Sequence, residues 1–357
     1  MNQARRIDAL TGLRPFASLY VFFFHFGRPL VEHAPAPLRA LASSGFVGVS
    51  FFYVLSGFVL AIGEKRRIAD GTFEHRAFLA RRLSRVAPAY FAAWLILIAP
   101  LLVGGASSVS ASVPGGLLQL AMLQAWWPPL ALTWNLPAWS ISVELAFYLV
   151  FPALVRALLR LPTWRARFVV LGGLWMTALA LAGAYSWLAP DGAVGPDSNA
   201  FFIDFLKFFP PARLPEFAFG LTLGLAFDRK RAAPRWLGPL ALAAAVVLLA
   251  ASDRVPFALV HNALLLPAFG ALVWAAASAQ GGVARFLGSR PLVGLGRASY
   301  AIYILQMPLM YAVLAAHVAL AGAQFFVFFA LLVYGAGIAF HLAVERRGYS
   351  LVPSAAS

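Results

Sequence analysis

Long apolar stretches, separated by short polar segments, run along almost the whole chain. About 20 residues are needed for a helix to cross a bilayer. Ten apolar stretches approach this length, at 12–31, 45–63, 86–103, 138–159, 168–188, 208–227, 236–252, 257–279, 296–318 and 323–344. A shorter stretch, 115–127, is closed by two prolines and predicts a re-entrant or interfacial helix. The pattern therefore predicts an all-α fold, a polytopic transmembrane helical bundle of about ten helices.

Along the chain, polar segments rich in basic residues alternate with polar segments that contain few of them. Of the 28 lysine and arginine residues, only five are assigned to the side poor in positive charge: Arg28, Arg39, Lys207, Arg213 and Arg254. Cytoplasmic loops carry an excess of basic residues, so the alternation predicts that both termini are cytoplasmic. We expect a single transmembrane domain over 1–348 and a short tail over 349–357, in the inner membrane of a bacterium.

The composition supports a membrane environment and argues against nucleic-acid binding and cysteine chemistry. Hydrophobic residues make up 62% of the chain and charged residues only 11%, so membrane lipids are its expected surroundings. The net charge of +15 could suggest nucleic-acid binding, but the basic residues form short blocks between apolar stretches. These blocks are typical of membrane topology signals, and no nucleic-acid partner is expected. The absence of cysteine excludes disulfides and thiolate chemistry.

Three ionisable side chains inside the predicted spans are candidates for catalysis, because charged groups are costly in lipid. Arg14 and His25 are eleven residues apart, which places them on one helix face about 16 Å apart along the axis. Glu144 lies six residues into the fourth span, at a depth similar to that of His25. A carboxylate next to an imidazole makes a general base for a hydroxyl. The alternative is that both side chains only bond neighbouring helices.

An arginine cluster precedes the third apolar stretch on the predicted cytoplasmic side. Its members are Arg81, Arg82 and Arg85. Guanidinium groups pair well with phosphate oxygens, so the cluster could bind a phosphorylated ligand, with Arg14 at the same surface. The alternative is a plain orientation signal. The sequence has no nucleophile elbow, P-loop, dinucleotide fingerprint or metal-ligand spacing, and no metal is expected.

Five ordered segments resemble the acyltransferase-3 family of integral membrane acyltransferases. They are Leu-Thr-Gly-Leu-Arg at 10–14 with Phe-His-Phe at 24–26, the Gly- and Phe-rich segment 45–58, the arginine segment 78–90, Trp-Ser-Ile-Ser-Val-Glu at 139–144, and Ser-Tyr-x-x-Tyr at 299–303. Three positions depart from the family pattern. Thr11 replaces the usual Asp, and Arg347 stands where Pro is common. Gln306 stands where many members carry His, so a second catalytic histidine is not assumed there.

The resemblance implies acyl transfer from cytosolic acyl-CoA, usually acetyl-CoA, to a hydroxyl of an extracytoplasmic or lipid-linked glycan. It implies that His25 is catalytic, and that Arg14 and the arginine cluster contact acyl-CoA. Two other hypotheses remain at this point. A proton-coupled secondary transporter could use His25 and Glu144 as a proton relay. A non-catalytic glycan-export protein would need neither.

Overall fold

The computed structural model describes residues 8–104, 112–227 and 233–345, and these residues are helical with no β-strand. Six helices in these ranges are long and apolar enough to cross a membrane. They are Val47–Ala69, Leu136–Leu159, Trp164–Leu188, Phe257–Ser278, Arg290–Ala315 and Gly322–Glu345. The all-α, multi-pass prediction is thereby confirmed. The total of ten spans stays a prediction, and both termini and the tail 349–357 lie outside the described residues.

A helix lies in each of the ten apolar stretches, although the first helix is shorter than its stretch and the helix at 86–103 begins earlier, at His75. In chain order they are α1 (Arg14–Phe26), α2 (Ala36–Ala42), α3 (Val47–Ala69), α4 (His75–Gly104), α5 (Val113–Leu120), α6 (Trp139–Leu159), α7 (Trp164–Leu188), α8 (Phe201–Phe208), α9 (Pro210–Ala226), α10 (Leu237–Ala250), α11 (Phe257–Asn262), α12 (Leu266–Ser278), α13 (Gly281–Leu287), α14 (Arg290–Ala315) and α15 (Gly322–Phe340). The stretch that predicted a re-entrant or interfacial segment forms α5 followed by two short 3-10 turns. Eight residues are too few for a span.

Backbone contacts divide the chain into two compact units. The first unit comprises Met1–Phe73 and Ala146–Gly296, and the second comprises Glu74–Leu145 and Arg297–Ser357. His25 and Arg14 therefore belong to the first unit. Glu144 and the arginine cluster belong to the second.

In the first unit, α3 and α9 pack through glycines. A Cβ on Gly57 would overlap the backbone oxygen of Phe217, and one on Gly220 would overlap that of Val54. One turn further along α9, a Cβ on Gly224 would lie 2.6 Å from the oxygen of Phe58. Small residues four apart let two membrane helices bring their backbones together. The glycines thus fix the closest helix pair of this unit.

Helix α1 is held against α3 in a similar way. It begins at Arg14 with Pro15 at its first turn, where the missing N–H costs nothing, and it ends before Gly27. A Cβ on Gly48 would lie 2.6 Å from the Val21 side chain. The same addition at Gly45 would lie 2.6 Å from Cβ of Phe24. The glycines at 45 and 48 therefore set the distance between α3 and the helix that carries His25.

In the second unit, two tyrosines of α14 bond backbone carbonyls of other segments. The Tyr300 hydroxyl donates to the oxygen of Val86 in α4 at 2.8 Å. The Tyr303 hydroxyl donates to the oxygen of Pro137, just before α6, at 3.2 Å. Val86 follows the arginine cluster, and Pro137 precedes the segment that contains Glu144. The tyrosine pair therefore fixes the backbone beside both candidate sites of this unit.

Topology can be tested directly, because the chain contains no cysteine. Asp70 lies in the exposed turn after α3, on the predicted cytoplasmic side. We expect the Asp70→Cys variant to react with a membrane-impermeant thiol reagent only after cells are opened. The His33→Cys variant, in an exposed turn on the opposite side, should react in intact cells. Labelling of the Asp70→Cys variant in intact cells would reverse the assigned orientation.

Candidate active site

Helix α1 carries two of the candidate residues. Arg14 is its first residue and His25 its last but one. Both side chains are half-buried, and Ser18 and Phe22 between them are buried. With a rise of about 1.5 Å per residue, the two side chains leave the helix about 16 Å apart. One continuous helix face therefore joins an arginine at one end to a histidine at the other.

The surroundings of the two side chains differ. The Arg14 guanidinium lies over the ring of Phe52 in α3, 5.5 Å from its centroid, so the cation contacts an aromatic face. The His25 ring lies 5.2 Å from that of Phe24 and 5.8 Å from that of Phe26, measured between centroids. His25 thus lies in an aromatic environment near the end of α1.

The arginine cluster lies on the first turns of α4, in the second unit. Arg81 and Arg85 are four residues apart and share a face, and all three arginines are half-buried. The Arg82 guanidinium lies over the Phe78 ring at 5.4 Å from its centroid. The cluster therefore belongs to a regular helix, one face of which is fixed by the Tyr300 bond to Val86.

Glu144 lies on the second turn of α6 and is half-buried. Its neighbours in the motif are fixed by hydrogen bonds. The Ser140 hydroxyl donates to the oxygen of Pro137 at 3.0 Å, and the Ser142 hydroxyl accepts from the backbone N–H of Ala125 at 3.3 Å. Glu144 and His25 belong to different units, so their pairing stays a prediction. The joining of Arg14 to the arginine cluster stays a prediction for the same reason.

The structure shows a buried ionic network that the sequence analysis missed. Arg213 and Glu216 of α9 are 0% and 1% exposed, and their charged atoms lie 3.0 Å apart. One Nη of Arg213 donates to the Ser50 hydroxyl of α3 at 2.9 Å. The other lies 2.9 Å from Nδ1 of His261, which is 2.7 Å from the Asn262 amide oxygen. The network therefore joins α3, α9 and α11.

Three atoms of this network have no hydrogen-bond partner among the residues that the structure describes. They are Nε of Arg213 and both carboxylate oxygens of Glu216, of which Oε2 lies at the ion-pair distance of 3.0 Å from Arg213. The sequence did contain a signal for the pair, because opposite charges three residues apart inside an apolar stretch are expected to interact. The charge pattern along the chain assigns Arg213 only to one membrane side and gives Glu216 no role.

A histidine–carboxylate contact lies directly after α15. His341 Nδ1 is 2.6 Å from a carboxylate oxygen of Glu345, and both side chains are buried. The sequence analysis assigned no role to either residue. Gln306, which the sequence analysis singled out, is also fully buried. Buried polar side chains therefore lie in α14 and directly after α15. Among the described residues, no group of three or more His, Cys, Asp or Glu side chains is placed to hold a metal ion.

The fold and these residues define a multi-pass membrane protein with a histidine near the end of α1 and a basic cluster on α4, as expected of a membrane-bound acyltransferase. The chain belongs to the acyltransferase-3 family, since the model of this family's acyltransferase domain matches residues 7–344. The resemblance carried by the five motifs is thereby confirmed over nearly the whole chain. No solved structure shows a significant match.

Three curated proteins illustrate the range of relatives. Acyltransferase MdmB of Streptomyces mycarofaciens is 30% identical over 323 residues, which cover 84% of this chain and 78% of MdmB. The exopolysaccharide production protein ExoZ of Rhizobium meliloti is 28% identical over 54% of this chain and 55% of its own length. O-acetyltransferase OatA of Staphylococcus aureus is 25% identical over 44% of this chain and 26% of its own length. The chain thus spans about half of ExoZ and a quarter of OatA.

Proposed function

We propose that this protein is a membrane O-acyltransferase that moves an acyl group, in particular acetyl, from cytosolic acyl-CoA to a hydroxyl of an extracytoplasmic or lipid-linked glycan. The observation that carries the proposal is α1, which bears an arginine at one end and a histidine at the other in a chain of the acyltransferase-3 family. The names of two relatives, O-acetyltransferase OatA and exopolysaccharide production protein ExoZ, support an O-acetyl group and a saccharide acceptor.

The proposed reaction assigns a role to each candidate residue. Arg14, Arg81, Arg82 and Arg85 bind the phosphates and nucleotide of acyl-CoA, as guanidinium groups do well. His25 takes the proton from the acceptor hydroxyl, and the oxygen attacks the thioester carbonyl. The carbon–sulfur bond then breaks, the ester forms, and the proton passes to the CoA thiolate. Glu144 orients the His25 imidazole and stabilises its charged form.

The test of the proposal is a transfer assay with purified protein in liposomes. Radiolabelled acetyl-CoA is supplied on one side, and envelope glycans from a strain that lacks the protein are supplied on the other. We expect label to move to the glycans with release of free CoA. A transporter would carry solute without making an ester, and an export protein would release no CoA. Either result, with correctly inserted protein, would reject the enzyme.

The donor site predicts a specific kinetic change. Removing one charge-assisted contact to a phosphate costs about 1.5–3 kcal/mol, which is about ten- to a hundredfold in affinity. We therefore expect Arg82→Ala or Arg85→Ala to raise the apparent KM for acetyl-CoA by about this factor. The KM for the glycan should not change. Arg76→Ala is the matched control, since Arg76 is an exposed arginine on the same helix, outside the cluster. Unchanged acetyl-CoA kinetics in inserted variants would make the cluster a topology signal only.

A further inference from the structure

A cavity of about 350 Å³ lies in the first unit, between α2, the start of α3, the loop before α8 and the turn before α11. Ligand-binding cavities in proteins usually measure about 300–1,000 Å³, so this one has room for a small molecule or for one group of a larger molecule. Its walls combine aromatic rings with hydroxyls and one charge of each sign. The residues used below are Arg39, Ser43, Ser44, Phe46, Asp253 and Phe257.

The aromatic part of the cavity is built on the buried network. The Phe46 ring stacks on the His261 ring, with centroids 5.1 Å apart and 19° between the planes. Phe257 packs edge-on against Phe46 with centroids also 5.1 Å apart. Since His261 contacts Arg213, these two rings rest on fixed side chains. The cavity therefore has an aromatic wall that is already organised.

The polar part of the cavity contains both hydrogen-bond donors and hydrogen-bond acceptors. The Ser44 hydroxyl donates to the oxygen of Ala40 at 2.7 Å and lies 2.9 Å from the Ser252 hydroxyl. Arg39 and Asp253 line the same cavity with opposite charges. A phosphate group would be opposed by the carboxylate, and a lipid tail would leave these polar groups desolvated. A ring with several hydroxyls satisfies both the polar groups and the aromatic wall.

Two parts of the cavity wall connect to residues near His25. On one side, Phe46 packs against Phe24, the chain neighbour of His25, with ring centroids 5.7 Å apart. On the other side, the lining residues Val194, Gly195 and Pro196 run directly into Asp197.

Asp197 is fixed at this end of α1 by an ion pair. Its carboxylate accepts two hydrogen bonds from Arg28, at 2.8 and 2.7 Å. The Arg28 guanidinium holds the pKa of the Asp197 carboxyl below its ordinary value. The loop that borders the cavity is therefore anchored beside the candidate base.

We propose that this cavity binds a sugar-sized, hydroxyl-bearing group of the acceptor and holds it next to His25. The inference rests on the proposed function and adds the location and chemistry of the acceptor site. It makes Ser43, Ser44 and the Phe46–Phe257 wall the contacts of the acceptor, whereas the arginines serve the donor. Blocking the cavity should therefore impair the use of acceptor and leave the use of donor unchanged.

The cysteine-free chain allows the cavity to be blocked after folding. A bulky maleimide is attached to purified, inserted Ser43→Cys protein, and the modified and unmodified samples of this variant are compared. We expect modification to lower kcat/KM for the glycan by about tenfold or more and to leave the KM for acetyl-CoA within about twofold. Modification of the His33→Cys variant, at an exposed position before α2 that does not line the cavity, should change neither constant.

A binding measurement separates this inference from the proposed function. Methyl hexopyranosides at high concentration should slow the reaction of the Ser43→Cys variant with the maleimide and not that of the His33→Cys variant. Protection without any acyl transfer by the wild-type protein would keep the sugar site and reject the enzyme. An unchanged kcat/KM for the glycan after modification of the Ser43→Cys variant would overturn the cavity as the acceptor site. An equal loss of kcat/KM for the glycan and for acetyl-CoA would overturn it as well.

Discussion

Replacing His25 with alanine should abolish acyl transfer and leave acyl-CoA binding close to that of the wild type. The general base acts after the donor has bound, and the phosphate contacts assigned to the arginines do not involve it. A general base contributes about 10²- to 10⁴-fold to the rate, so the loss should be at least of this size. The measurement is single-turnover transfer from radiolabelled acetyl-CoA together with equilibrium binding of acetyl-CoA. His33→Ala, at an exposed histidine just beyond α1, is the matched control.

The predicted pairing of His25 with Glu144 can be tested in the same assay. Glu144→Gln should lower kcat less than His25→Ala, because the imidazole remains but loses the charge that orients it. If the two side chains act as a unit, the double variant should be no slower than His25→Ala alone. Additive losses would show that Glu144 acts independently. Transfer at a near wild-type rate by the His25→Ala protein would show that His25 is not the general base.

Replacing Arg213 with alanine should prevent most of the protein from folding. The change leaves the Glu216 carboxylate, 1% exposed, without its charged partner. Removing one member of a buried ion pair costs about 3–5 kcal/mol, a large part of the stability of a typical domain. We expect a much lower yield of monodisperse protein in detergent and a lower unfolding temperature. Both are measured by fluorescence-detected size-exclusion chromatography after heating.

Two comparisons identify the cause of this loss. Arg213→Met with Glu216→Met removes both charges, so this double variant should be more stable than Arg213→Ala, as replacement of a whole buried pair often is. Arg28→Ala breaks an ion pair whose side chains are 34% and 67% exposed, and exposed pairs contribute only about 0–1 kcal/mol. Equal stability of Arg213→Ala and Arg28→Ala would contradict the structural role of the network.

The sequence was most informative where the signal extends over many residues. Apolar stretches predicted where helices lie, because a span needs a long run of side chains compatible with lipid. The placement of Arg14 and His25 on one face of a helix was predicted from the period of the α-helix alone. The short α5 agrees with the two prolines that close its stretch, whereas α1 ends before Gly27 and is shorter than the predicted stretch 12–31.

The structure added what depends on contacts between distant segments. The glycines at 45 and 48 appeared in the sequence as part of a family motif, and only the packing shows that they bring α3 close to α1. Ser50 and His261 are 211 positions apart, and no local pattern predicts that both meet Arg213. The cavity has the same origin, since its walls come from three separated regions of the chain.

The two tyrosines of α14 have a consequence for how this protein can change over evolutionary time. Tyr300 and Tyr303 bond to main-chain oxygens of Val86 and Pro137, and every amino acid supplies such an oxygen. The side chains at 86 and 137 can therefore vary without removing the acceptors. Substitutions next to the arginine cluster and next to Glu144 thus leave in place the two hydrogen bonds that hold α4 and the segment before α6 against α14.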